Sequence, residues 1–227
     1  RSIALVDGET SYVLSADDSG VWRMDSPIVA LADADTVKSV VRRILGLSHS
    51  DVSGGGVSIS VNSGGTLAMV SKTKILGSKR LVDFRSKVMM TVDPKKVKRI
   101  SVLKKDSSQV VSVVYSGDRR SWNVESSARG GVVDSAAVAG LLKKINPLKA
   151  VRTVALKATQ SELSKYGLEN PCYKVAIDQT TEGSVRKNIL IGHKTDGGHF
   201  ATIGAADAIF VISDETVKVL TAELIGD

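Results

Sequence analysis

The sequence predicts an α+β protein of two tandem repeats, each a mainly antiparallel β-sheet with one or more packed α-helices. Three observations lead to this class. Aromatic residues make up only 4% of the 227 residues, so β-branched and other aliphatic side chains must fill the interior, and β-branched residues favour strands. Short apolar runs are separated by Gly, Asp and Ser turns. One strand–turn–strand–helix pattern occurs twice.

Composition indicates that the whole chain folds. Hydrophobic residues make up 42% and charged residues 24%, an ordinary globular balance and not that of a disordered chain. The length fits one domain or two small ones. A core of useful size is therefore expected in either arrangement.

In the first half, the pattern runs through strands near 3–6 and 12–14 to a strand near 21–24 that contains Trp22. In the second half, strands near 100–103 and 110–115 lead to one near 121–124 that contains Trp122. Both tryptophans occupy the same place in the pattern, which favours core packing over a ligand contact.

A helix follows each tryptophan strand. Asp33 and Asp134 are suited to cap them, and apolar residues at helical spacing give each helix a buried face: Val37, Val40, Val41, Ile44 and Leu45 in the first, and Val138, Leu141, Leu142 and Ile145 in the second. Gly46 and Pro147 stop them. The seam between the repeats is expected near 91–94, giving modules 1–92 and 93–227.

The second module continues with a short helix that begins at a Thr159–Glu162 capping box and ends at Gly167. Packing of Leu163 and Tyr166 under the turn is expected, and Pro171 prevents continuation. Strands are predicted at 173–177, 186–191, 200–203 and 209–212, followed by a closing helix from Ser213.

Several of these features resemble a family. Tyr166-Gly167-Leu168 with Pro171, then Leu190-Ile191-Gly192, a Gly-rich turn and a strand with Phe210-Val211, resemble the bacterial domain of unknown function 4340. Trp22 with Asp33, and Trp122 with Asp134, resemble its earlier elements twice, and the segment 84–97 resembles its junction between modules. The first half lacks the Tyr-Gly-Leu-x-x-Pro and Ile-Gly motifs, so it resembles a shortened copy.

The resemblance implies an envelope protein, held on the extracytoplasmic face of the inner membrane by an N-terminal anchor and associated with gliding-type ABC transport systems. This sequence opens with Arg1-Ser2-Ile3 and shows no signal peptide or membrane span. We therefore expect membrane association through a segment absent from this chain, and an envelope or membrane protein as partner. The family offers no catalytic residues to transfer.

The densest basic run is 94–99, in a chain of net charge +7. No aromatic residue is interleaved for base stacking, so no nucleic acid partner is expected. A solvated strand edge is the favoured interpretation because edge strands are often protected by lysine. Polyanion binding through Lys95, Lys96, Lys98 and Arg99 is the alternative.

Candidate chemistry is sparse. His193, Asp196 and His199 could ligate a transition metal, but a polar hairpin loop is favoured, and no cofactor is expected. Lone Cys172 cannot form an intramolecular disulfide, and packing beside Pro171 is expected. His49 lies in a polar loop and no nucleophile motif is present.

The sequence therefore favours a non-enzymatic interaction or scaffold module of the cell envelope, accessory to an ABC-type membrane transport complex. The surfaces expected to bind are the Gly-rich segments at 54–56 and 193–198, because function concentrates on exposed loops. An envelope glycan- or peptide-processing enzyme with a site assembled from distant residues is the alternative.

Overall fold

The computed structural model describes residues 1–61, 68–104, 107–116, 119–127, 130–181, 183–204 and 208–226. The chain divides into two compact units, Arg1–Ser86 and Lys87–Asp227, called unit 1 and unit 2. Both combine helices with antiparallel sheet, which confirms the α+β class. Within the described residues, none of the helices combines the length and apolarity needed to span a membrane.

Unit 1 contains a six-stranded antiparallel sheet in the order β4-β3-β2-β1-β5-β6. Its strands are β1 (Ser2–Asp7), β2 (Thr10–Ala16), β3 (Trp22–Ser26), β4 (Ala30–Leu31), β5 (Val52–Val61) and β6 (Ala68–Val70), and its α-helices are α1 (Ala34–Leu45) and α2 (Lys72–Leu76). The expectation of a loop at 54–56 is wrong, because these glycines lie within β5.

Helix α1 begins where the sequence predicts. The Asp33 carboxylate accepts a hydrogen bond from the Thr36 N–H (2.9 Å), which satisfies a free amide of the first turn. Val37 and Val40 are buried, whereas Leu45 is 80% exposed. The predicted apolar face is therefore buried at its centre and open at the C-terminal end.

Unit 2 contains an eight-stranded antiparallel sheet in the order β10-β9-β8-β14-β15-β16-β17-β13. These strands are β8 (Val97–Lys104), β9 (Ser107–Ser116), β10 (Arg119–Ser127), β13 (Arg152–Ala155), β14 (Tyr173–Thr181), β15 (Gly183–Thr195), β16 (Gly198–Ile203) and β17 (Ile209–Ile212). Two small ladders pair β7 (Val88–Met90) with β12 (Leu148–Lys149) and β11 (Val132–Val133) with β18 (Ile225–Gly226). The α-helices are α3 (Ser135–Lys144), α4 (Gln160–Lys165) and α5 (Asp214–Leu220).

The large core of unit 2 joins α3 and α5 to one face of this sheet. Leu141 of α3 and Leu220 of α5 are fully buried with Phe210 of β17. Ile209 belongs to a separate, smaller cluster with residues of α4 and its following turn. Neighbouring residues of a strand point to opposite faces, so both faces of the sheet are covered at β17.

The basic run does not form a strand edge. Lys95 and Lys96 lie in a 3₁₀ turn (Pro94–Lys96), and Lys98 and Arg99 lie in β8, which pairs with both β9 and β14. β8 is thus an interior strand, and the expectation of an edge is wrong. Its second neighbour is a strand from a distant part of the sequence, and a local charge pattern does not reveal such a pairing.

Candidate functional site

Helix α4 and the turn that follows it have the geometry that their sequence predicts. The Glu162 N–H donates to the Thr159 hydroxyl (3.2 Å), and the Glu162 carboxylate accepts from the Thr159 N–H (3.0 Å), a complete capping box. At the other end Gly167 has φ 70°, a left-handed conformation that suits glycine. The Leu168 N–H then donates to the Leu163 carbonyl (2.8 Å), and Leu168 is buried.

This turn lies directly against the end of β15. The His193 N–H donates to the Tyr166 carbonyl oxygen (2.9 Å). A Cβ atom at Gly192 would lie 2.2 Å from that same oxygen, far inside van der Waals contact. Glycine at 192 is therefore required for the close approach of the two backbones, which connects the Tyr-Gly-Leu and Ile-Gly motifs in space.

A small apolar cluster supports the contact from below. The rings of Tyr166 and Phe200 are 4.3 Å apart between centroids, and both pack against buried Leu163, Leu168 and Ile209. Tyr166 is thus a packing residue, as the sequence predicts. The turn is held by apolar burial as well as by the backbone hydrogen bond.

The β15–β16 hairpin projects from this support. Its tip is Asp196-Gly197, and Thr195 pairs with Gly198. A Cβ atom at Gly198 would lie 1.9 Å from the Ile212 carbonyl oxygen, so the returning strand lies tightly against the end of β17. The hairpin is therefore braced on both of its strands.

Charged groups gather beside the hairpin. The ring Nδ1 of His199 lies 3.2 Å from the Gly192 carbonyl oxygen, and its Nε2 lies 3.5 Å from an Asp214 carboxylate oxygen. Lys194 Nζ lies 3.8 Å from the other Asp214 oxygen. The Asp214 carboxylate therefore lies between the His199 ring and the Lys194 ammonium group.

We call residues 166–168, 192–199 and Asp214 the turn–hairpin site. His193, Lys194 and Asp196 are exposed in it, and His193 lies over Gly167. No group of three or more His, Cys, Asp or Glu side chains in the described part of the chain is placed to hold a metal ion. His199 is instead placed beside Asp214, which sequence spacing did not indicate.

Five strands of the large sheet, β13 to β17, lie within one stretch of similarity to known proteins, together with α3 to α5 and the turn–hairpin site. Residues 122–225 match DUF4340, a domain of unknown function. The match supports the resemblance drawn from the motifs in unit 2. Neither the curated proteins nor the solved structures contain a match to the chain.

The DUF4340 segment also contributes to a row of alternating charge across the sheet. Arg99 makes two hydrogen bonds to Glu125 (2.9 and 2.6 Å), and Arg186 makes two to Asp178 (2.6 and 2.8 Å). Arg99 also lies 3.8 Å from Asp178. These four residues, on four different strands, are called the charge row. Arg99 is consequently paired with acids, whereas the sequence grouped it with Lys95, Lys96 and Lys98 as candidates for polyanion binding.

The charge row alters the titration of its acids. Hydrogen bonds from Arg186 lower the pKa of Asp178, and hydrogen bonds from Arg99 lower the pKa of Glu125. A lowered folded-state pKa contributes stability that is present above the unfolded pKa and lost as pH falls through the folded value. The row therefore stabilises unit 2 at neutral pH and loses that effect in acid.

Replacing Asp178 by Asn is expected to reduce the free energy of unfolding by about 1 kcal/mol at pH 7, because Arg99 and Arg186 lose their shared carboxylate. The difference from the wild type should shrink as the pH falls below the ordinary pKa of aspartate and then through the lowered pKa of Asp178. Urea titrations at several pH values measure it. The control is Glu223→Gln, at an exposed residue outside the charge row. An equal loss of unfolding free energy in both variants that does not change with pH would contradict the stabilising role of the charge row.

The remaining sequence candidates are structural or isolated. Asp134 accepts hydrogen bonds from two α3 amides, and Trp122 packs against the large core. Trp22 is half-buried in β3. Cys172 is exposed, so the expectation that it packs inside is wrong. The His49 side chain lies outside the described residues, although its backbone forms part of a 3₁₀ turn.

Proposed function

We propose that this protein is a non-enzymatic interaction module of the bacterial cell envelope and that the turn–hairpin site is its binding surface. The observation that carries the proposal is the bracing of an exposed, charged hairpin at Gly192, His193 and Gly198. Binding residues are commonly found on loops positioned by a rigid scaffold. A braced hairpin loses little conformational entropy on binding, which favours affinity.

The charges of the site favour a protein partner. Lys194 carries a positive charge, whereas Asp196 and Asp214 carry negative ones, and all three side chains are exposed. Surfaces that present both signs over a short distance select partners by complementary charge and suppress wrong ones. The partner we propose is a membrane protein of an ABC-type transport complex, with this chain anchored to the inner membrane on the extracytoplasmic side.

The envelope location draws its support from the resemblance to DUF4340 proteins. The match over residues 122–225 supports membership of that segment in the family. The association with transport systems is extended from the resemblance to this chain as part of the proposal. It makes the identity of the bound partner the decisive observation.

We also propose that the two units arose by duplication, with unit 1 the shortened copy. Two features support this. In unit 1 the order β3-β2-β1-β5-β6 parallels β10-β9-β8-β14-β15 in unit 2. β1 pairs with β5 and β8 pairs with β14, and in each unit the second of these strands comes later in the sequence than the capped helix, α1 or α3. Asp33 and Asp134 cap those helices in the same way.

The test is recovery of partners from native membranes. The full-length protein is cross-linked in its own cells, purified and analysed by mass spectrometry, beside the charge-exchange variant K194E/D196K. This variant keeps the net charge and leaves the bracing glycines intact. Transporter subunits should be recovered with the wild type and reduced at least about tenfold in the variant.

The matched control is E9K/K79E, which exchanges one pair of exposed charges in unit 1. It should recover the same subunits as the wild type. Equal recovery with K194E/D196K would overturn the turn–hairpin site as the binding surface. Recovery of no membrane protein with any of the three would overturn the scaffold role.

A further inference from the structure

Unit 2 carries a second surface that the turn–hairpin site does not include. Lysines from three separate segments gather around β7 and the 3₁₀ turn that precedes β8. Nearly all of the chain's net positive charge belongs to unit 2, because basic and acidic residues are almost equal in number in unit 1. The lysines, called the lysine end, are Lys87, Lys95, Lys96, Lys149 and Lys187.

Backbone pairing brings these segments together. Lys149 pairs with Val88 in the β7–β12 ladder, and the Ala150 N–H donates to the Lys87 carbonyl oxygen (2.8 Å). The Lys187 ammonium group, from β15, donates to the Thr91 carbonyl oxygen (2.9 Å). The chain then reaches Lys95 and Lys96 within a few residues, so all five lysines border one segment, 87–96.

Most lysines of this end lie apart from the acidic side chains in the described part of the chain. Lys87, Lys95, Lys96 and Lys149 are exposed, and in the described residues none of these four lies within ion-pair distance of a carboxylate. Asp93, the acid of the same segment, uses its carboxylate to accept from the Lys95 N–H (2.9 Å). Arg99, by contrast, is held by Glu125 and lies near Asp178.

We propose that the lysine end binds the anionic headgroups of a membrane surface. All five cations are lysines, whose compact, hydrated charge attracts phosphate without the bidentate geometry that arginine supplies. Clusters of lysines near a membrane surface are attracted by the negative charge of anionic lipids. This surface acts in addition to the proposed partner binding at the hairpin and does not depend on it.

Two features favour lipid over nucleic acid. Segments 87–96 and 148–150 contain no aromatic residue, so they offer no platform for stacking bases. Val151, two residues after Lys149, is 47% exposed. An apolar side chain beside lysines suits the boundary between headgroups and acyl chains.

The experiment is co-sedimentation of the full 227-residue chain with phosphatidylcholine vesicles that contain or lack phosphatidylglycerol. The variant K95Q/K96Q/K149Q removes three exposed lysines of the lysine end. The control K104Q/K157Q/K174Q removes three exposed lysines elsewhere. Lys104 pairs with Tyr173 and Lys174 pairs with Leu103, at the opposite end of the β8–β14 ladder. Circular dichroism establishes that each variant is folded.

Binding should require phosphatidylglycerol, weaken with added salt, and fall on the order of 100-fold in the lysine-end variant. The control should lose far less. Equal losses of vesicle binding in both variants would mean that the net charge of the protein attracts the membrane diffusely. That result would overturn the lysine end as the lipid-binding surface. Absence of phosphatidylglycerol-dependent binding would overturn it as well, without affecting the hairpin proposal.

A competition with double-stranded DNA separates the two macromolecular classes. Under the lipid proposal, DNA at equal phosphate concentration displaces little protein from the vesicles. Tighter binding to DNA, lost in the same lysine-end variant, would overturn the lipid proposal in favour of a nucleic acid surface.

Discussion

Replacing Gly192 by Ala is expected to reduce the free energy of unfolding of unit 2 by about 3 kcal/mol. The added Cβ would lie 2.2 Å from the Tyr166 carbonyl oxygen. That oxygen belongs to the backbone of a turn packed on Phe200 and Leu168, so it cannot move aside alone. The turn and β15 must separate, and the hydrogen bond from the His193 N–H is lost.

Two measurements check this result. Urea unfolding gives the loss of stability, and hydrogen exchange should show reduced protection of the His193 amide. Gly140→Ala is the matched control, because this glycine lies within α3 with open space around it and alanine in a helix adds about 1 kcal/mol. Unchanged stability and unchanged His193 exchange in Gly192→Ala would contradict the close approach.

Replacing Phe210 by Ala should have the other large effect, a loss of about 3–5 kcal/mol. Phe210 is fully buried in the large core between the sheet and the packed helices. Its removal leaves a cavity beside α3 and α5 that close-packed neighbours cannot fill. Urea unfolding of the full chain, followed by circular dichroism, measures the loss.

Val132→Ala serves as the control for this substitution. Val132 lies in the small β11–β18 ladder of the same unit and is 67% exposed, so its truncation should change stability by less than about 0.5 kcal/mol. Similar losses in the two variants would mean that Phe210 does not anchor the core as the structure indicates. A loss of stability confined to Phe210→Ala would agree with Phe210 as an anchor of the large core.

The parts of the fold that follow from local chemistry could be predicted from the sequence. Asp134, Thr159 and Ser213 each cap a helix where expected, because capping needs only a side chain and the next few amides. The end of α4 at Gly167 is local in the same sense. The strand β17 has the bounds that its apolar run predicts.

The parts that depend on pairing between distant segments could not be predicted. Arg99 looked like a member of a solvated edge, but β14 pairs beside it and brings Asp178 within reach. The glycines at 54–56 looked like a loop, but β5 runs through them as a partner of β1 and β6. Sequence spacing contains no register information across such separations.

The turn–hairpin site falls between these cases. Tyr166-Gly167 and Gly192 stand out as motifs in the sequence, but only the fold shows that one backbone lies against the other. The His199–Asp214 contact joins β16 to α5 and has no signal in the spacing of the residues. The hairpin was predicted as a loop. The backbone contacts of Gly192, His193 and Gly198 that brace it were not predicted.

Site-specific photo-crosslinking in the native cells tests directly whether the hairpin is the binding surface. A photoreactive amino acid replaces Lys194 at the hairpin, and in a matched strain it replaces exposed Lys79 of unit 1. We expect a discrete adduct with a membrane protein from position 194 and none from position 79. Equal adducts from both positions, or an adduct from position 79 alone, would contradict the hairpin as the binding surface.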